Sequence, residues 1–356
     1  MRIVFLCKRR PQGKDLIERP YGRFYYLPEL LSRKGHDVQI LLNSHKYEPH
    51  IELKKGGIRW NSISLVSQGP LAYFNNVNKI IKLNKPDWVI GFSDTYYGII
   101  AQHLAQRHGC KSLIDAYDNY ESYISWLKPL HYMWRRALAK ADMITAAGPQ
   151  LAEMMQRDRS DRLAVVLPMA ADPEFIPMNR YNCRTELGLP QEKKLIGFCG
   201  SLYRSRGVEF LFQLADRICE IDPRVAIVAS GRKEKGLKIP PNIRWLGYLP
   251  DNMVPFVLSS MNVLLVLNRD SSFGHYSYPV KLYEAMKCGI PVVASETAST
   301  SWILGGDQRY LARIDDLDDF SAKLFAALES RPPIYKPTAS WEKVADKLEE
   351  ILLSRI

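Results

Sequence analysis

The sequence predicts an α/β protein of two domains with parallel β-sheets. Short apolar segments alternate with segments of helical periodicity through both halves of the chain. This alternation is typical of parallel strands connected and covered by helices. At 356 residues the chain is long enough for two domains of ordinary size. We place these domains at residues 1–170 and 171–340, followed by a C-terminal helical segment at 341–356.

Composition excludes several other classes of protein. The chain is 46% hydrophobic and 24% charged, as expected for a globular fold. It has no run of eighteen apolar residues, so no transmembrane helix is predicted. Near the N-terminus, basic residues follow the first apolar run instead of preceding it, unlike a signal peptide. The six cysteines are scattered without zinc or redox spacing, which favours reduced thiols in the cytoplasm.

The net charge of +11 is concentrated in the first half of the chain. Residues 1–180 carry 26 Lys and Arg against 17 Asp and Glu. Such a surface is either simply solvated or meets an anionic membrane, a phosphorylated substrate or nucleic acid. No nucleic-acid-binding motif accompanies the charge, so a nucleic-acid partner is not predicted.

In the first half, apolar runs alternate with helical segments. The predicted strands lie at 3–7, 38–42, 63–66, 87–92 and 112–115. The predicted helices are 26–34, with Pro28 in its first turn and Gly35 ending it, and 77–83. Residues 93–98 are predicted to be a loop. Because ligands bind beyond the carboxyl ends of parallel strands, Asp94 in this loop is a candidate site residue.

The second half repeats the same alternation after a proline-rich hinge at 170–192. The predicted strands lie at 194–200, 225–229, 243–246, 263–267 and 290–294. Helices are predicted at 208–220 and 341–353.

The prediction of function rests mainly on residues 278–295. Pro279 fits the first turn of a short helix that Gly289 ends in a left-handed conformation. Lys281 and Glu284 lie at i, i+3 near the start of this helix. A helix N-terminus attracts anions, so Lys281 suits a phosphate and Glu284 suits a ribose diol. The alternative is a plain surface ion pair of a few tenths of a kcal/mol.

This stretch resembles the nucleotide-sugar signature of the retaining glycosyltransferases of family 4. The resemblance implies the GT-B fold, in which two Rossmann-like domains with parallel sheets face a central cleft. Glu284 matches the second glutamate of the family's Glu-x7-Glu pattern, whereas Tyr276 stands where the first would be. Backbone amides of Tyr276, Ser277 and Tyr278 are then expected to serve the donor.

Further matches extend the resemblance over nearly the whole chain. After the strand at 194–200, Arg206 matches a basic residue that meets the donor diphosphate. Ser201, next to Gly200, replaces a second basic position, so Arg204 is expected to supply that charge. Tyr248 lies in a turn whose backbone reads the nucleobase in the family. The final helix resembles one that packs on the first domain.

Matches in the first domain concern the sugar and the acceptor. The segment 115–121 resembles a family motif whose histidine lies near the donor sugar; Tyr117 stands at that position, followed by Asp118. Tyr117 is either a hydrogen-bond donor to the sugar or an amphipathic wall. Gly22 matches a glycine-containing loop that faces the donor phosphates and the acceptor, with Arg23 beside it.

The resemblance implies transfer of a sugar from a nucleotide-diphospho-sugar to a hydroxyl of a glycan or lipid-linked acceptor in bacterial-type polysaccharide or glycoconjugate assembly. It implies no metal and no cofactor. The predicted catalytic residues are Asp118, Tyr117, Arg206 and Lys281, the last two stabilising the leaving diphosphate. Gly22, Arg23 and Asp94 are predicted on the acceptor side. Two alternatives stay open: a nucleotide-sugar epimerase of the same fold, and a catalytically silent binding or scaffold protein.

Residues 126–136 are both aromatic and basic. This mixture suits either a membrane–water interface or a helix packed on a core with a basic outer face. We therefore expect a cytoplasmic protein, with peripheral contact to an anionic inner membrane face as one option.

Overall fold

The computed structural model describes residues 1–69, 71–161, 163–204, 207–269, 271, 274–330, 333, 335 and 339–355. The chain divides into two compact units. Unit 1 comprises Met1–Met169 and Ala339–Ile356, and unit 2 comprises Ala170–Thr338.

Most strands follow the apolar runs of the sequence. Unit 1 contains β1 (Arg2–Lys8), β2 (Asp37–Ser44), β3 (Ile51–Lys55), β4 (Ile58–Ser64), β5 (Trp88–Gly91), β6 (Lys111–Ala116), β7 (Met143–Ala146) and β8 (Val165–Val166). Unit 2 contains β9 (Lys194–Cys199), β10 (Val225–Ser230), β11 (Ile243–Trp245), β12 (Val263–Val266), β13 (Val292–Ser295) and β14 (Leu311–Ala312).

The helices lie between these strands. Unit 1 has α1 (Gly22–Arg33), α2 (Leu65–Gln68), α3 (Ala72–Asn84), α4 (Thr95–His108), α5 (Lys128–Lys140) and α6 (Pro149–Met155). Unit 2 has α7 (Arg180–Glu186), α8 (Val208–Ile221), α9 (Val254–Ser260), α10 (Val280–Lys287), α11 (Ala298–Ile303) and α12 (Leu317–Glu329). The last helix, α13 (Trp341–Leu353), belongs to unit 1.

Each unit is built on one sheet of mainly parallel strands. The sheet of unit 1 has the order β3-β4-β2-β1-β5-β6-β7-β8, and that of unit 2 has the order β11-β10-β9-β12-β13-β14. All pairings are parallel except the edge pair β3 and β4. The predicted α/β class with two parallel-sheet domains is therefore confirmed.

Some local predictions were wrong. Helix α1 begins at Gly22, so Pro28 lies inside the helix and not in its first turn. Helix α4 begins at Thr95, so most of the predicted loop 93–98 is helical. The antiparallel hairpin of β3 and β4 was not predicted, because β3 (Ile51–Lys55) is largely exposed and has no apolar run.

The C-terminal helix α13 packs against α1 within unit 1. The indole Nε1 of Trp88 donates to the Leu352 carbonyl at 3.2 Å, and the rings of Tyr26 and Trp341 stack with centroids 6.2 Å apart. At the rim, Lys34 donates to Glu349 at 2.8 Å.

Among the residues described, no helix combines the length and apolar composition needed to cross a membrane.

Candidate functional site

Helix α10 brings Lys281 and Glu284 together in unit 2. Pro279 is the N-cap residue, and Gly289 follows the helix with φ +71°, the left-handed end expected from the sequence. The Lys281 Nζ donates to Glu284 Oε2 at 2.5 Å. The Glu284 side chain is only 9% exposed, against 33% for Lys281. The pair is therefore more buried than an ordinary surface ion pair.

Lys281 remains a cation in this environment. Burial acts to lower the pKa of its ammonium, but the Glu284 carboxylate outweighs this effect and the net pKa is raised. The ammonium also lies 5.7 Å from the ring centroid of Phe175, a cation–π distance. Cys199 ends β9 close to the pair, and burial raises the pKa of its thiol to about 12. The ion pair thus lies beside the carboxyl end of β9.

The loop after β9 follows the same sheet edge. The Gly200 N–H donates to the Ser230 carbonyl at 3.0 Å, and the loop pairs with residues 232–234 through Leu202. A Cβ on Gly231, at φ +142°, would lie 2.0 Å from the Gly200 carbonyl oxygen. Only glycine fits there, so the loops after β9 and β10 are held together closely. Ser201 is half-buried in this paired segment.

Arg204 is exposed and paired with carboxylates of its own unit. Its Nη1 donates to Glu234 Oε1 at 3.3 Å, and its Nε lies 3.5 Å from Glu209 Oε1. To bind the diphosphate as predicted, Arg204 would have to break its contacts with Glu234 and Glu209. Arg206 lies outside the described residues.

Two cation–aromatic pairs border the loop after β10, and the sequence interpretation missed them. The Arg232 guanidinium lies 4.6 Å from the Tyr248 ring centroid, and the Lys233 Nζ lies 4.8 Å from the Trp245 ring centroid. The Trp245 Nε1 donates to the Gly231 carbonyl at 3.1 Å, which fixes the indole. Tyr248 is 48% exposed. Two consecutive basic residues after β10, Arg232 and Lys233, are visible in the sequence. Their stacking on aromatic rings depends on the tertiary fold and could not be predicted from it.

The segment before α10 is a tight turn. A 3₁₀ turn spans Gly274–Tyr276, and the Ser277 N–H reaches the Gly274 carbonyl at 3.4 Å. Tyr278 is buried edge-on against Trp302, with ring centroids 5.8 Å apart. Tyr276 and Ser277 are half-buried. This turn places the three residues directly before the start of α10.

In unit 1, Tyr117 and Asp118 follow β6 in a cluster of tyrosines. The Tyr117 ring packs on Phe24 and Tyr120, with centroids 5.3 and 5.7 Å away. The Tyr123 hydroxyl donates to Asp118 Oδ2 at 2.7 Å. Burial, reinforced by Asp118, raises the pKa of the Tyr117 hydroxyl, which is therefore neutral near pH 7.

Asp94 is the N-cap of α4. Its Oδ1 accepts from the Thr95 N–H at 2.7 Å. Burial raises the pKa of Asp94, while Lys8 and His45 oppose that shift. Burial and the nearby Lys8 lower the pKa of His45. These groups lie at the carboxyl ends of the neighbouring strands β1, β2 and β5, the edge at which α/β sheets bind ligands.

Arg23 lies inside unit 1. Its Nε donates to Asp115 Oδ2 at 2.7 Å and its Nη2 to Oδ1 at 2.5 Å, while Nη1 donates to the Leu167 carbonyl at 2.9 Å. The Thr145 hydroxyl also donates to Asp115, at 2.6 Å. Because Arg23 is 1% exposed, this geometry does not fit the acceptor-side role predicted for its side chain. Gly22 begins α1 with φ +59°.

The structure thus assembles the predicted residues in two groups, one in each unit. Gly200, Ser201, Lys281 and Glu284 gather near the carboxyl end of β9, and Asp94, Tyr117 and Asp118 gather at the carboxyl edge of the other sheet. Among the residues described, no group of three or more His, Cys, Asp or Glu is placed to hold a metal ion. Independence from metal remains a prediction.

Two family models match the chain and together take in most of it. The model described as "Glycosyl transferase 4-like domain" matches residues 23–169. The model described as "Glycosyl transferases group 1" matches residues 193–330 and contains α10 with its ion pair.

Several characterised proteins are similar in sequence. A D-inositol 3-phosphate glycosyltransferase of Corynebacterium urealyticum is 27% identical over 229 residues, which are 54% of this chain and 51% of that protein. O-antigen chain mannosyltransferase B of Escherichia coli is 30% identical over 103 residues, 29% of this chain and 23% of that protein. The match spans about half the length of the first of these relatives.

Solved structures share the fold. Sucrose-phosphate synthase from Thermosynechococcus elongatus has a TM-score of 0.73 at 13% identity, over 99% of this chain and 94% of that one. Anabaena HepE in complex with UDP has a TM-score of 0.68 at 14% identity, over 100% and 95%. Both support the GT-B fold predicted from the sequence. By the two family models and the shared architecture, the chain belongs to the group 1, family 4-type glycosyltransferases.

Proposed function

We propose that the protein transfers a sugar from a nucleotide-diphospho-sugar to an acceptor hydroxyl with retention of anomeric configuration. The observation that carries this proposal is the buried Lys281–Glu284 pair at the start of α10, beside the carboxyl end of β9. Such a position offers a cation, a carboxylate and the N-terminal N–H groups of a helix to one ligand. Membership of the glycosyltransferase family supports the assignment.

In this proposal Glu284 holds the ribose of the donor. Within the part of the chain that the structure describes, Lys281 is the one hydrogen-bond partner of its carboxylate, through Oε2. Oε1 is then available to accept from a ribose hydroxyl, and the ion pair fixes the direction of the carboxylate. A buried carboxylate with a fixed cation is a suitable acceptor because little reorganisation accompanies binding.

The leaving group is a nucleoside diphosphate, whose charge grows as the bond to the sugar C1 breaks. Lys281, Arg206 and the first N–H groups of α10 would stabilise that charge without a metal. The acceptor oxygen forms the new bond to C1 on the face that the diphosphate leaves, and its proton passes to the solvent or to the departing phosphate. Asp118, whose carboxylate accepts from the Tyr123 hydroxyl, is proposed as a further catalytic residue on the strength of the family resemblance.

A thermal-shift panel of nucleoside diphosphates and their sugar derivatives tests this function. A ligand that binds only the folded state stabilises it, by about 2.7 kcal/mol at a hundred times its Kd. We expect one nucleotide series to raise Tm, and the uridine series is tried first because HepE was solved with UDP. If no nucleotide raises Tm at saturation, the proposal is wrong and a scaffold role is favoured.

Product analysis then separates transfer from epimerisation. With donor and acceptor present, a transferase releases one nucleoside diphosphate for each glycoside formed, whereas an epimerase returns the sugar still linked to the nucleotide. Retention is checked by the anomeric coupling constant of the product. The names of the two relatives point to different acceptors, an inositol phosphate and an O-antigen chain, so acceptors are screened among sugar phosphates, glycans and lipid-linked glycans.

We also propose that unit 1 docks on an anionic membrane surface through α5 and the loop before it. Trp126 is 77% exposed, Tyr132 66% and Met133 50%, while Trp134 anchors the opposite face of the helix in the core. Lys128 and Arg136 are exposed beside these side chains. Exposed aromatic and basic side chains on one surface suit the interface between anionic headgroups and acyl chains. This location favours a lipid-linked acceptor on the cytoplasmic face.

Vesicle co-sedimentation tests the docking surface. We expect binding to vesicles that contain phosphatidylglycerol but not to pure phosphatidylcholine, and weaker binding at high salt. The double variant Trp126→Ala/Tyr132→Ala should lower the affinity for these vesicles about thirtyfold, since each of the two interfacial rings contributes on the order of 1 kcal/mol. Tyr47→Ala removes an aromatic ring that is 82% exposed elsewhere in unit 1 and serves as the matched control. Equal losses in both variants would contradict the assignment.

A further inference from the structure

The first residues of unit 2 contain a tight turn. The Phe175 N–H donates to the Asp172 carbonyl at 3.2 Å, which closes a turn over residues 172–175. Aspartate at the first position and Pro173 at the second both favour a turn of this kind. We call residues 170–175 the connector, because unit 2 begins with them and they follow unit 1 directly in the chain.

The turn of the connector is joined to α10 at both of its ends. In the last turn of the helix, the Lys287 Nζ donates to the Asp172 carbonyl at 3.0 Å. In the first turn of the helix, the Lys281 ammonium lies 5.7 Å from the ring centroid of Phe175. Because these two lysines lie near opposite ends of α10, the connector follows the helix over most of its length.

Phe175 belongs to the interior of unit 2 and not to its surface. It is 5% exposed, whereas the Lys281 side chain that it contacts is 33% exposed. A phenylalanine ring has no group that hydrogen-bonds strongly to a phosphate or a hydroxyl. Any effect of Phe175 on a bound diphosphate therefore passes through Lys281.

The Lys281 ammonium keeps hydrogen-bonding capacity for a ligand. In the part of the chain that the structure describes, Glu284 Oε2 accepts one of its three N–H groups, at 2.5 Å, and two are left for a phosphate. The attraction to the Phe175 ring is electrostatic and acts on the cation as a whole. Glu284 and Phe175 together thus hold the ammonium while using only one of its donors.

We propose that Phe175 is a positioning residue for donor binding, and that its ring holds the Lys281 ammonium ready for the diphosphate. The inference rests on the proposed function and adds a residue that does not touch the donor. Lysine has a flexible side chain, and a ligand that must order such a side chain binds less tightly. The ring also excludes water from part of the ammonium, which strengthens its attraction for a phosphate.

The test compares Phe175→Leu with Phe175→Tyr. Leucine keeps an apolar side chain at this position but has no π face, whereas tyrosine keeps the π face. The probe is UDP, or whichever nucleoside diphosphate raises Tm in the panel, titrated into the full chain by calorimetry. Phe175→Leu should weaken its binding about fivefold, the equivalent of about 1 kcal/mol, and Phe175→Tyr should bind within about twofold of the wild type.

Two controls separate positioning from general damage to the fold. The phosphate-free nucleoside, measured by competition, should bind Phe175→Leu as tightly as it binds the wild type, since in the proposed site Lys281 serves the phosphates. Phe320→Leu is the matched variant, because Phe320 is fully buried in the same unit but its ring packs on the Phe210 ring, with centroids 5.2 Å apart. It should lower Tm without changing the affinity for the diphosphate.

A double-variant cycle shows whether Phe175 acts through Lys281. Lys281→Met removes the ammonium and should itself weaken binding of the diphosphate. Adding Phe175→Leu should then cause no further loss, because the group that the ring holds is gone. If Phe175→Leu lowers Tm below the assay temperature, Phe175→Met, which also lacks a ring, takes its place in both experiments.

Four results would overturn the inference: unchanged affinity for the diphosphate in the ringless variant, an equal loss of affinity for the nucleoside, additive losses in the cycle, or a loss in Phe175→Tyr as large as in Phe175→Leu. If the wild type binds no nucleotide, the proposed function is wrong instead. The titration of the wild type therefore distinguishes the two failures.

Discussion

Glu284→Gln is expected to abolish the stabilisation by nucleotide and to lower kcat/KM for sugar transfer about a hundredfold. The substitution keeps the shape of the side chain but removes the charge that binds Lys281 at 2.5 Å. A hydrogen bond to a charged group contributes about 1.5–3 kcal/mol, and the unpaired ammonium adds to the loss. The measurement is the nucleotide-dependent rise in Tm, followed by steady-state kinetics with the donor identified in the panel.

Glu329→Gln is the matched control for this prediction. Glu329 belongs to the same unit and pairs with a lysine, Lys194, but its side chain is 74% exposed. Because exposed ion pairs contribute little, its loss should leave both Tm and the nucleotide shift nearly unchanged. If Glu284→Gln retains the full nucleotide shift, Glu284 does not hold the ribose, and the ion pair only stabilises the start of α10.

Helix ends and most strands depend on residues that are close in sequence, and these features could be predicted. The bounds of α13 were predicted to the residue, and the end of α10 at Gly289 was predicted from the helix-ending preference of glycine. Most strands of both sheets followed from apolar runs, whereas β3 and β14 were not predicted. The N-cap at Asp94 had an equally clear signal, an aspartate before a long helical segment, and was missed because residues 95–98 were interpreted as a loop.

Burial and contacts distant in sequence could not be predicted in the same way. Arg23 follows a glycine near a predicted ligand loop, and nothing local distinguishes a buried arginine from an exposed one. Its partner Asp115 is 92 residues away. The stacking of Arg232 on Tyr248 also joins two loops of the sheet edge. In each case the sequence supplies the residue type, and only the tertiary fold supplies its partner.

The left-handed backbone conformation of Gln12 is a third kind of feature that could not be predicted from the sequence. Gln12 and Gly13 have no pattern that predicts two consecutive left-handed residues, because glutamine avoids that region. The conformation results from Arg9, Asp15 and their neighbours, which close the loop from both sides. The left-handed turn at Gln12 was therefore not among the features predicted from the sequence.

Asp115→Ala is expected to destabilise unit 1 by about 3–5 kcal/mol, because removing one member of a buried ion pair leaves the other charge uncompensated. The carboxylate accepts two hydrogen bonds from Arg23 and one from Thr145, and all three side chains are almost fully buried. Amide hydrogen exchange in β6 and β7 measures the loss within unit 1, independently of unit 2.

The apolar double variant Arg23→Met/Asp115→Leu separates charge from packing. Because it removes both charges together, it should be less destabilised than Asp115→Ala, although the Leu167 carbonyl and the Thr145 hydroxyl lose a partner. Both variants should keep the nucleotide shift, since the donor residues lie in unit 2. If Asp115→Ala instead left exchange in β6 and β7 unchanged and abolished turnover, Arg23 would act on the substrate as the sequence resemblance implied. The expected result, lost protection with nucleotide binding retained, would show that the buried pair supports the sheet that carries Asp94, Tyr117 and Asp118.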